Sequence, residues 1–215
     1  KGTSKKVDPV LRIFCEGEKT EPQYLRGFIN QFFSKHRRIL VVEKTDKNTP
    51  LELVQVAIDS KRYGSEDDVV WVVYDRESVH KYSHEKHAEA RKLADDNGIN
   101  IAFSNVCFEY WILLHFIDTS ACYQSCANLL SESKLKAELK KIGINNYEKG
   151  LATLFDSIKD NLQLAIERAE KIIANHKKTA EVGKEAPHFL NPYVDFHHLL
   201  IDMDNFINKK PSVRS

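Results

Sequence analysis

Acidic residues follow three apolar runs in this 215-residue sequence. They are Glu16 and Glu18 after residues 10–15, Asp75 and Glu77 after residues 69–74, and Glu109 shortly beyond residues 99–103. Clustered carboxylates repel one another and raise each other's pKa values unless a cation lies among them. Carboxylate oxygens suit Mg²⁺ or Mn²⁺, and such an ion can stabilise charge on phosphate oxygens and activate a water molecule.

The elements that must position these acids alternate between strand and helix patterns. Four short apolar runs predict strands at residues 10–15, 39–42, 69–74 and 99–103, and apolar residues at helical spacing predict a helix between each pair. This order favours crossover connections and a mainly parallel, four-stranded α/β sheet flanked by helices. Because ligands bind beyond the carboxyl ends of parallel strands, we expect the acids to share one edge of the sheet.

The second half of the sequence has helical patterns without strand signals. The last predicted helix covers residues 194–206, and no distinct linker separates the two halves. We therefore predict an α/β core over residues 1–118 and a C-terminal helical extension, packed on that core, over residues 119–215.

A purely structural role is the simpler interpretation of any single acid here. Acidic residues are common in the first turn of a helix, and Glu18 and Glu21 fit that role. Three acidic strand ends in one order favour a functional interpretation.

The net charge of +1 gives no compositional sign of nucleic-acid binding. A polyanion would have to bind through a local basic surface or through bound cations. Lys19 and Arg76 flank the acids and are candidates for binding a phosphate, although each could simply neutralise its neighbours. Arg37 and Arg38 form a second candidate, with a solvated turn as the alternative. Three histidines near Asp75 are predicted to be solvated; they are His80, His84 and His87.

The four cysteines predict a reducing compartment. Cys15 and Cys107 lie in apolar runs typical of packed, reduced thiols, and the spacing of Cys122 and Cys126 does not favour a zinc site. The N-terminal residues are polar and the apolar runs are short, so we expect neither a signal peptide nor a membrane span. These features predict a cytoplasmic protein.

Two acidic motifs resemble those of Toprim domains, which occur in topoisomerases, bacterial primases and overcoming-lysogenization-defect nucleases. Glu16-Gly17 and Asp75-Arg76-Glu77 stand where that family has a Glu-Gly pair and an Asp-x-Asp pair. The resemblance implies that Glu16 is a general acid/base or metal ligand and that Asp75 and Glu77 hold Mg²⁺. Glu77 departs from the Asp that many members have.

Two longer segments resemble the RloB-like and AbiL-type abortive-infection proteins more closely. They are residues 15–22 and residues 104–111, with Val106 where that family usually has proline. The resemblance implies a partner ATPase, which is typically encoded beside these proteins, and a part in phage defence.

Together these observations predict a Mg²⁺- or Mn²⁺-dependent nuclease acting on DNA, tRNA or another RNA. Its catalytic residues are Glu16, Asp75 and Glu77, with Glu109 and Glu21 as further metal ligands. A catalytically silent scaffold that binds nucleic acid or regulates the ATPase is one alternative. A phosphotransfer enzyme acting on nucleotides is another, although no P-loop motif is present. The sequence leaves the oligomeric state open, and a homo-oligomer is compatible with it.

Overall fold

A computed structural model describes residues 8–210 and contains one five-stranded sheet with the strand order β2-β1-β3-β4-β5. The strands are β1 (Leu11–Cys15), β2 (Leu40–Val42), β3 (Val69–Asp75), β4 (Asn100–Asn105) and β5 (Tyr193–Val194). The first four strands are parallel, and β5 pairs with β4 in the antiparallel direction. The sheet is therefore mainly parallel, as predicted.

Helices cover both faces of this sheet. Within residues 8–210 they are α1 (Thr20–Phe32), α2 (Pro50–Tyr63), α3 (His84–Asp96), α4 (Glu109–Leu114), α5 (Cys126–Glu132), α6 (Leu135–Lys141), α7 (Leu154–Ile158), α8 (Leu162–Thr179) and α9 (Phe196–Ile207). None of these helices has both the length and the apolar character that a membrane span requires.

The central strand β3 is covered on both of its faces. All of its residues after Val69 are buried, so neither face of the strand meets water. One face packs against α2 and α3, and the other packs against α1 and the helices of the second half. A continuous run of Val, Trp and Tyr side chains suits this position because both faces of a central parallel strand are covered.

The helices beyond residue 118 share one hydrophobic core with the first half of the chain. Leu139, Phe155 and Ala169 belong to the same buried cluster as Leu11 and Leu25. The predicted division at residue 118 stays a prediction, and its terminal residues 1–7 and 211–215 lie outside the described part of the chain.

The strand β5 corrects the prediction of a four-stranded sheet and an all-helical extension. It has only two residues, Tyr193 and Val194, which is too short to give a periodic pattern. Asp195 follows it and fixes the position of the strand, because its Oδ1 atom accepts a hydrogen bond from the backbone N–H of Phe103 at 2.6 Å. The extension thus completes one edge of the sheet.

A buried hydrogen bond joins α9 to the centre of the sheet. The indole Nε1–H of Trp71 donates to Oδ2 of Asp202 over 2.9 Å, and both residues are almost fully buried. We expect Asp202→Ala to lower the free energy of unfolding by about 2–3 kcal/mol, because the indole N–H loses its acceptor in a fully buried site. Asp202→Asn keeps an acceptor oxygen and should lose less.

Urea unfolding followed by tryptophan fluorescence tests this prediction. Asp204→Ala is the control, because Asp204 lies on the same helix and is half-exposed. A free energy of unfolding for Asp202→Ala within about 0.5 kcal/mol of the wild-type value would contradict the prediction.

Candidate metal and phosphate site

Backbone hydrogen bonds continue past the ends of β1, β3 and β4 and bring the acidic segments together. The N–H of Glu16 donates to Val73 O over 2.8 Å, and the N–H of Arg76 donates to Ser104 O over 2.8 Å. The strand ends therefore meet at one edge of the sheet, as the sequence predicts. Three acidic segments, residues 16–18, 75–77 and 109, converge there.

Glu16 has one constrained carboxylate oxygen and one oxygen without a partner. Its Oε2 atom accepts a hydrogen bond from the backbone N–H of Asp75 over 3.3 Å. Its Oε1 atom is buried and has no hydrogen-bond partner among the described residues. Burial raises the pKa of Glu16 from 4.5 to about 7, and the nearby Glu77 and Glu21 carboxylates contribute to that rise. An oriented, unpartnered oxygen of this kind suits a cation.

Asp75, Glu21 and Glu109 are buried in the same place, with exposed fractions of 7, 7 and 1%. Burial raises the pKa of Asp75 well above its ordinary value, and the Glu21, Glu109 and Glu16 carboxylates raise it further. Burial likewise raises the pKa of Glu21 to about 7, with Glu109 adding to the effect. The structure thus brings together four of the five predicted metal ligands as a mutually repelling, poorly solvated set.

Glu77 lies at the rim of this set. It lines the same cavity as Glu16 and Asp75, but its backbone has left the strand and adopts a positive φ of 56°. Glu77 therefore does not continue the side-chain alternation of β3. Its Oε1 atom accepts a hydrogen bond from Lys81 Nζ at 3.1 Å.

Gly17 makes room for the buried Glu21 carboxylate. A Cβ atom at position 17 would collide with both carboxylate oxygens of Glu21. The Glu-Gly pair therefore has a steric reason: a side chain at Gly17 would occupy the space that Glu21 fills.

The acids open into a cavity of about 310 Å³ that also carries three lysines. Lys19, the residue predicted to contact a phosphate, is exposed and lines this cavity, and Lys81 pairs with Glu77. Lys149 arrives from the loop before α7, and its Nζ atom lies 3.4 Å from Glu109 Oε1. Burial lowers the pKa of Lys149, but the Glu109, Asp75 and Glu21 carboxylates outweigh it and raise the pKa above its ordinary value.

Sequence reasoning missed Lys81 and Lys149. Lys81 lies four residues after Glu77, which is a usable local signal, whereas Lys149 belongs to a distant loop. The next residue in that loop, Gly150, has a φ of 89° and lies against Lys19. A Cβ atom at position 150 would clash with the Lys19 side chain. Only the folded chain brings these two segments together.

Arg76 does not face the cavity, which corrects its predicted phosphate contact. Its side chain is 2% exposed, and its Nε and Nη1 atoms donate to the backbone carbonyls of His188 and Tyr82 over 3.0 and 2.7 Å. His87, predicted to be solvated, is also buried, and its Nε2 atom lies 3.1 Å from Arg76 O. Arg76 directly follows Asp75, and neighbouring side chains of an extended segment point to opposite sides, so Arg76 points away from the acids.

Arg37 and Arg38 lie at the opposite edge of the sheet from the acids. They are exposed and directly precede the strand β2, so they mark the amino end of the parallel strands. The structure does not bring them to the acidic site, and a contact with nucleic acid at this second surface stays a prediction.

The cysteine prediction needs one correction. The structure pairs Cys107 with Cys126, whereas Cys107 was expected to be an isolated, reduced thiol. The pairing joins the start of α4 to the start of α5 across an intervening loop, which an apolar local sequence does not reveal. Cys15 is buried and free, as predicted, and burial raises the pKa of its thiol.

The chemistry of the donor set, rather than its spacing, suits a hard divalent cation. Within residues 8–210, Cys107, Glu109 and Cys126 bring three potential ligand atoms within 4.8 Å of one another, and no three of the carboxylates do. Glu16, Glu21, Asp75 and Glu109 offer only carboxylate oxygens, and Mg²⁺ and Mn²⁺ prefer oxygen ligands. The Oε1 atom of Glu16, which has no hydrogen-bond partner among the described residues, is available as a ligand atom.

Comparison with protein-family models gives a match to the model described as RloB-like protein over residues 11–203. The matched range contains all five acidic residues of the site and extends into α9. No curated protein and no solved structure matches the chain.

The raised pKa values of Glu16 and Glu21 predict how stability depends on pH without metal. Between pH 4.5 and about 7 the unfolded chain releases protons that the folded protein retains, so a rise in pH favours unfolding over this range. Buried histidines with lowered pKa values, such as His87 and His115, act in the opposite sense over the same range. We therefore expect the acids by themselves to lower the melting temperature in EDTA by roughly 5 °C across this window, and Mg²⁺ to remove that contribution at pH 7.5.

Thermal melting of wild type, Glu16→Gln and Glu89→Gln measures this effect. Glu16→Gln should flatten the pH dependence, while Glu89→Gln, which alters an exposed residue of α3, should leave it unchanged. Equal pH slopes for wild type and Glu16→Gln would contradict the assignment.

The close approach at Gly17 predicts that Gly17→Ala displaces the Glu21 carboxylate. We expect Mn²⁺ affinity to fall by roughly tenfold, because one ligand leaves the cluster while the others remain. Isothermal titration with Mn²⁺ measures the change. Gly183→Ala is the control for a glycine substitution away from the site: a Cβ atom there meets nothing within 4 Å, and the φ of 82° makes the change costly to the backbone without touching the acids. Unchanged affinity in Gly17→Ala would refute the steric role of the glycine.

Proposed function

This chain belongs to the RloB-like family, and we propose that it is a Mg²⁺- or Mn²⁺-dependent nuclease that hydrolyses phosphodiester bonds of DNA or RNA. One observation carries the proposal. Three buried carboxylates, Glu21, Asp75 and Glu109, and the partly buried Glu16 lie together at the carboxyl edge of a parallel sheet, and one oxygen of Glu16 has no hydrogen-bond partner among the described residues.

A structural role does not account for this set. An acid in the first turn of a helix gains from exposure to water and from the helix dipole. Here Asp75 and Glu109 are buried, and Asp75 is destabilised by three neighbouring carboxylates. Lys149 is placed to offset part of the charge at Glu109. Such an arrangement is typical of residues that bind a cation.

The lysines favour a phosphate as the group that meets the cation. Lys19, Lys81 and Lys149 line the cavity with the acids, so an anionic substrate would meet ammonium groups around a charged centre. When bound, Mg²⁺ supplies charge stabilisation at phosphate oxygens and makes a water molecule more acidic. The lysines hold the phosphate and neutralise the charge that develops on it.

Glu16 is the residue we assign to proton transfer or to metal ligation. The Asp75 N–H fixes its Oε2 atom, and its Oε1 atom is buried without a hydrogen-bond partner among the described residues. Oε1 can accept a proton from an attacking water because no protein group occupies it. Asp75, Glu21 and Glu109 are the ligands we assign to the cation, and Glu77 contributes from the rim.

The biological setting is part of the proposal and comes from the resemblance. The Glu16-Gly17 and Asp75-Arg76-Glu77 motifs resemble those of Toprim proteins, some of which are nucleases, and RloB-like proteins are typically encoded beside an ATPase and implicated in phage defence. We therefore expect a partner ATPase to stimulate cleavage and the isolated chain to have low activity. Cytoplasmic localisation belongs to the same expectation.

Cleavage assays with plasmid, single-stranded DNA and bulk tRNA test the function. We expect cutting in Mg²⁺ or Mn²⁺ and none in EDTA. Asp75→Asn and Glu16→Gln should each lower the rate at least about 10²-fold, because each removes charge from the centre without removing volume. Each assay is run with and without the adjacent ATPase.

Asp96→Asn is the matched control, since Asp96 is an exposed acid at the carboxyl end of α3, far from the sheet edge that carries the site. Its cleavage rate should equal that of wild type. Metal binding that depends on Asp75, without cleavage of any substrate under any condition, would replace the nuclease with the silent scaffold.

A further inference from the structure

The Cys107–Cys126 pair touches the acidic site through Glu109. The two cysteines have Cα atoms 5.6 Å apart, a separation at which a disulfide forms without backbone movement. Cys126 Sγ also lies 3.1 Å from Glu109 Oε2. One sulfur atom is therefore shared between a redox pair and a candidate metal ligand.

Glu109 has a different set of hydrogen-bond donors in the two redox states. Tyr147 Oη and Lys149 Nζ approach its Oε1 atom over 3.3 and 3.4 Å. In the dithiol state the Cys126 thiol can donate to Oε2, so both oxygens are occupied. In the disulfide state Cys126 has no hydrogen to donate, and Oε2 loses that partner inside a buried site.

We propose that Cys107 and Cys126 form a reversible thiol–disulfide couple that regulates how strongly Glu109 binds the divalent cation, with tighter binding in the oxidised form. The proposal rests on the metal site of the proposed function and deepens it. A carboxylate oxygen that has lost its thiol donor gains more from a cation than one already hydrogen-bonded.

The positions of the two sulfurs define the chemistry. Cys107 is 1% exposed and Cys126 is half-buried, so Cys126 is the sulfur that a small oxidant reaches first. With a peroxide as oxidant, the Cys126 sulfur attacks one oxygen, the O–O bond breaks, and water leaves behind a sulfenic acid. The Cys107 sulfur then attacks Cys126, the S–S bond forms, the S–O bond breaks, and a second water leaves. A dithiol reductant returns two electrons and two protons.

The test measures thiols and Mn²⁺ affinity separately in the full chain. All proteins carry Cys122→Ser, because Cys122 is an exposed free thiol that would react by itself. After reduction this background has three thiols, and after hydrogen peroxide it should have one, Cys15, by maleimide labelling and mass spectrometry. We expect the oxidised form to bind Mn²⁺ roughly fivefold more tightly, the effect of losing one hydrogen bond to a carboxylate.

Two substitutions separate the hydrogen bond from the disulfide. Cys126→Ser keeps a hydroxyl donor and should show the weaker affinity of the reduced form, without any response to peroxide. Cys126→Ala has no donor and should show the tighter affinity, again without a response. Mn²⁺ prefers oxygen ligands, so these differences report on Glu109 rather than on metal–thiolate bonds.

Three outcomes would overturn the proposal, and they are distinguishable. Failure to lose two thiols with peroxide removes the couple. Equal Mn²⁺ affinity in both redox states, or in Cys126→Ser and Cys126→Ala, removes the link to Glu109 while leaving the metal site intact. Absence of Mn²⁺ binding in every form removes the metal site, and with it both proposals.

Discussion

Asp75 is buried beside Glu16, Glu21 and Glu109, and each of these carboxylates raises its pKa. Repulsion of this kind opposes folding unless protons or cations are taken up. The surrounding structure supplies only part of the compensation, through Lys149 on one side and backbone N–H groups on the other. The need for positive charge at this one place links the stability of the fold to what the site binds.

The parallel topology is what forces these acids together. Strands β1, β3 and β4 are neighbours and run in one direction, so the residues after them meet at one edge whatever their separation in sequence. The second half of the chain then closes over this edge. It contributes β5 to the sheet, and its Lys149 and Tyr147 side chains contact Glu109. The site therefore depends on both halves of the chain.

Much of this arrangement is readable from the sequence because it depends on local patterns. Continuous apolar runs predict the four parallel strands, and the acids directly after them predict the edge that carries the site. The direction of a side chain that follows a strand depends instead on contacts with distant parts of the chain. Arg76 follows Asp75, yet its guanidinium is drawn to the carbonyls of His188 and Tyr82 and away from the cavity. A contact set by residues 112 positions apart leaves no trace near Arg76 in the sequence.

Lys149 and the Cys107–Cys126 pair were not predicted because their contacts are also not local in sequence, and both concern Glu109. Each is a contact between the α/β core and the second half of the chain, and only the folded structure determines the path of the loops that make it possible. Glu109 is buried where these contacts meet the sheet edge, with a lysine and a tyrosine at one oxygen and a cysteine at the other. A change in the charge of Glu109, by protonation or by cation binding, alters what Asp75 experiences, since Glu109 is among the carboxylates that raise its pKa. The second half of the chain thus acts on the acidic site at Glu109, and through Lys149 also on Asp75 and Glu21.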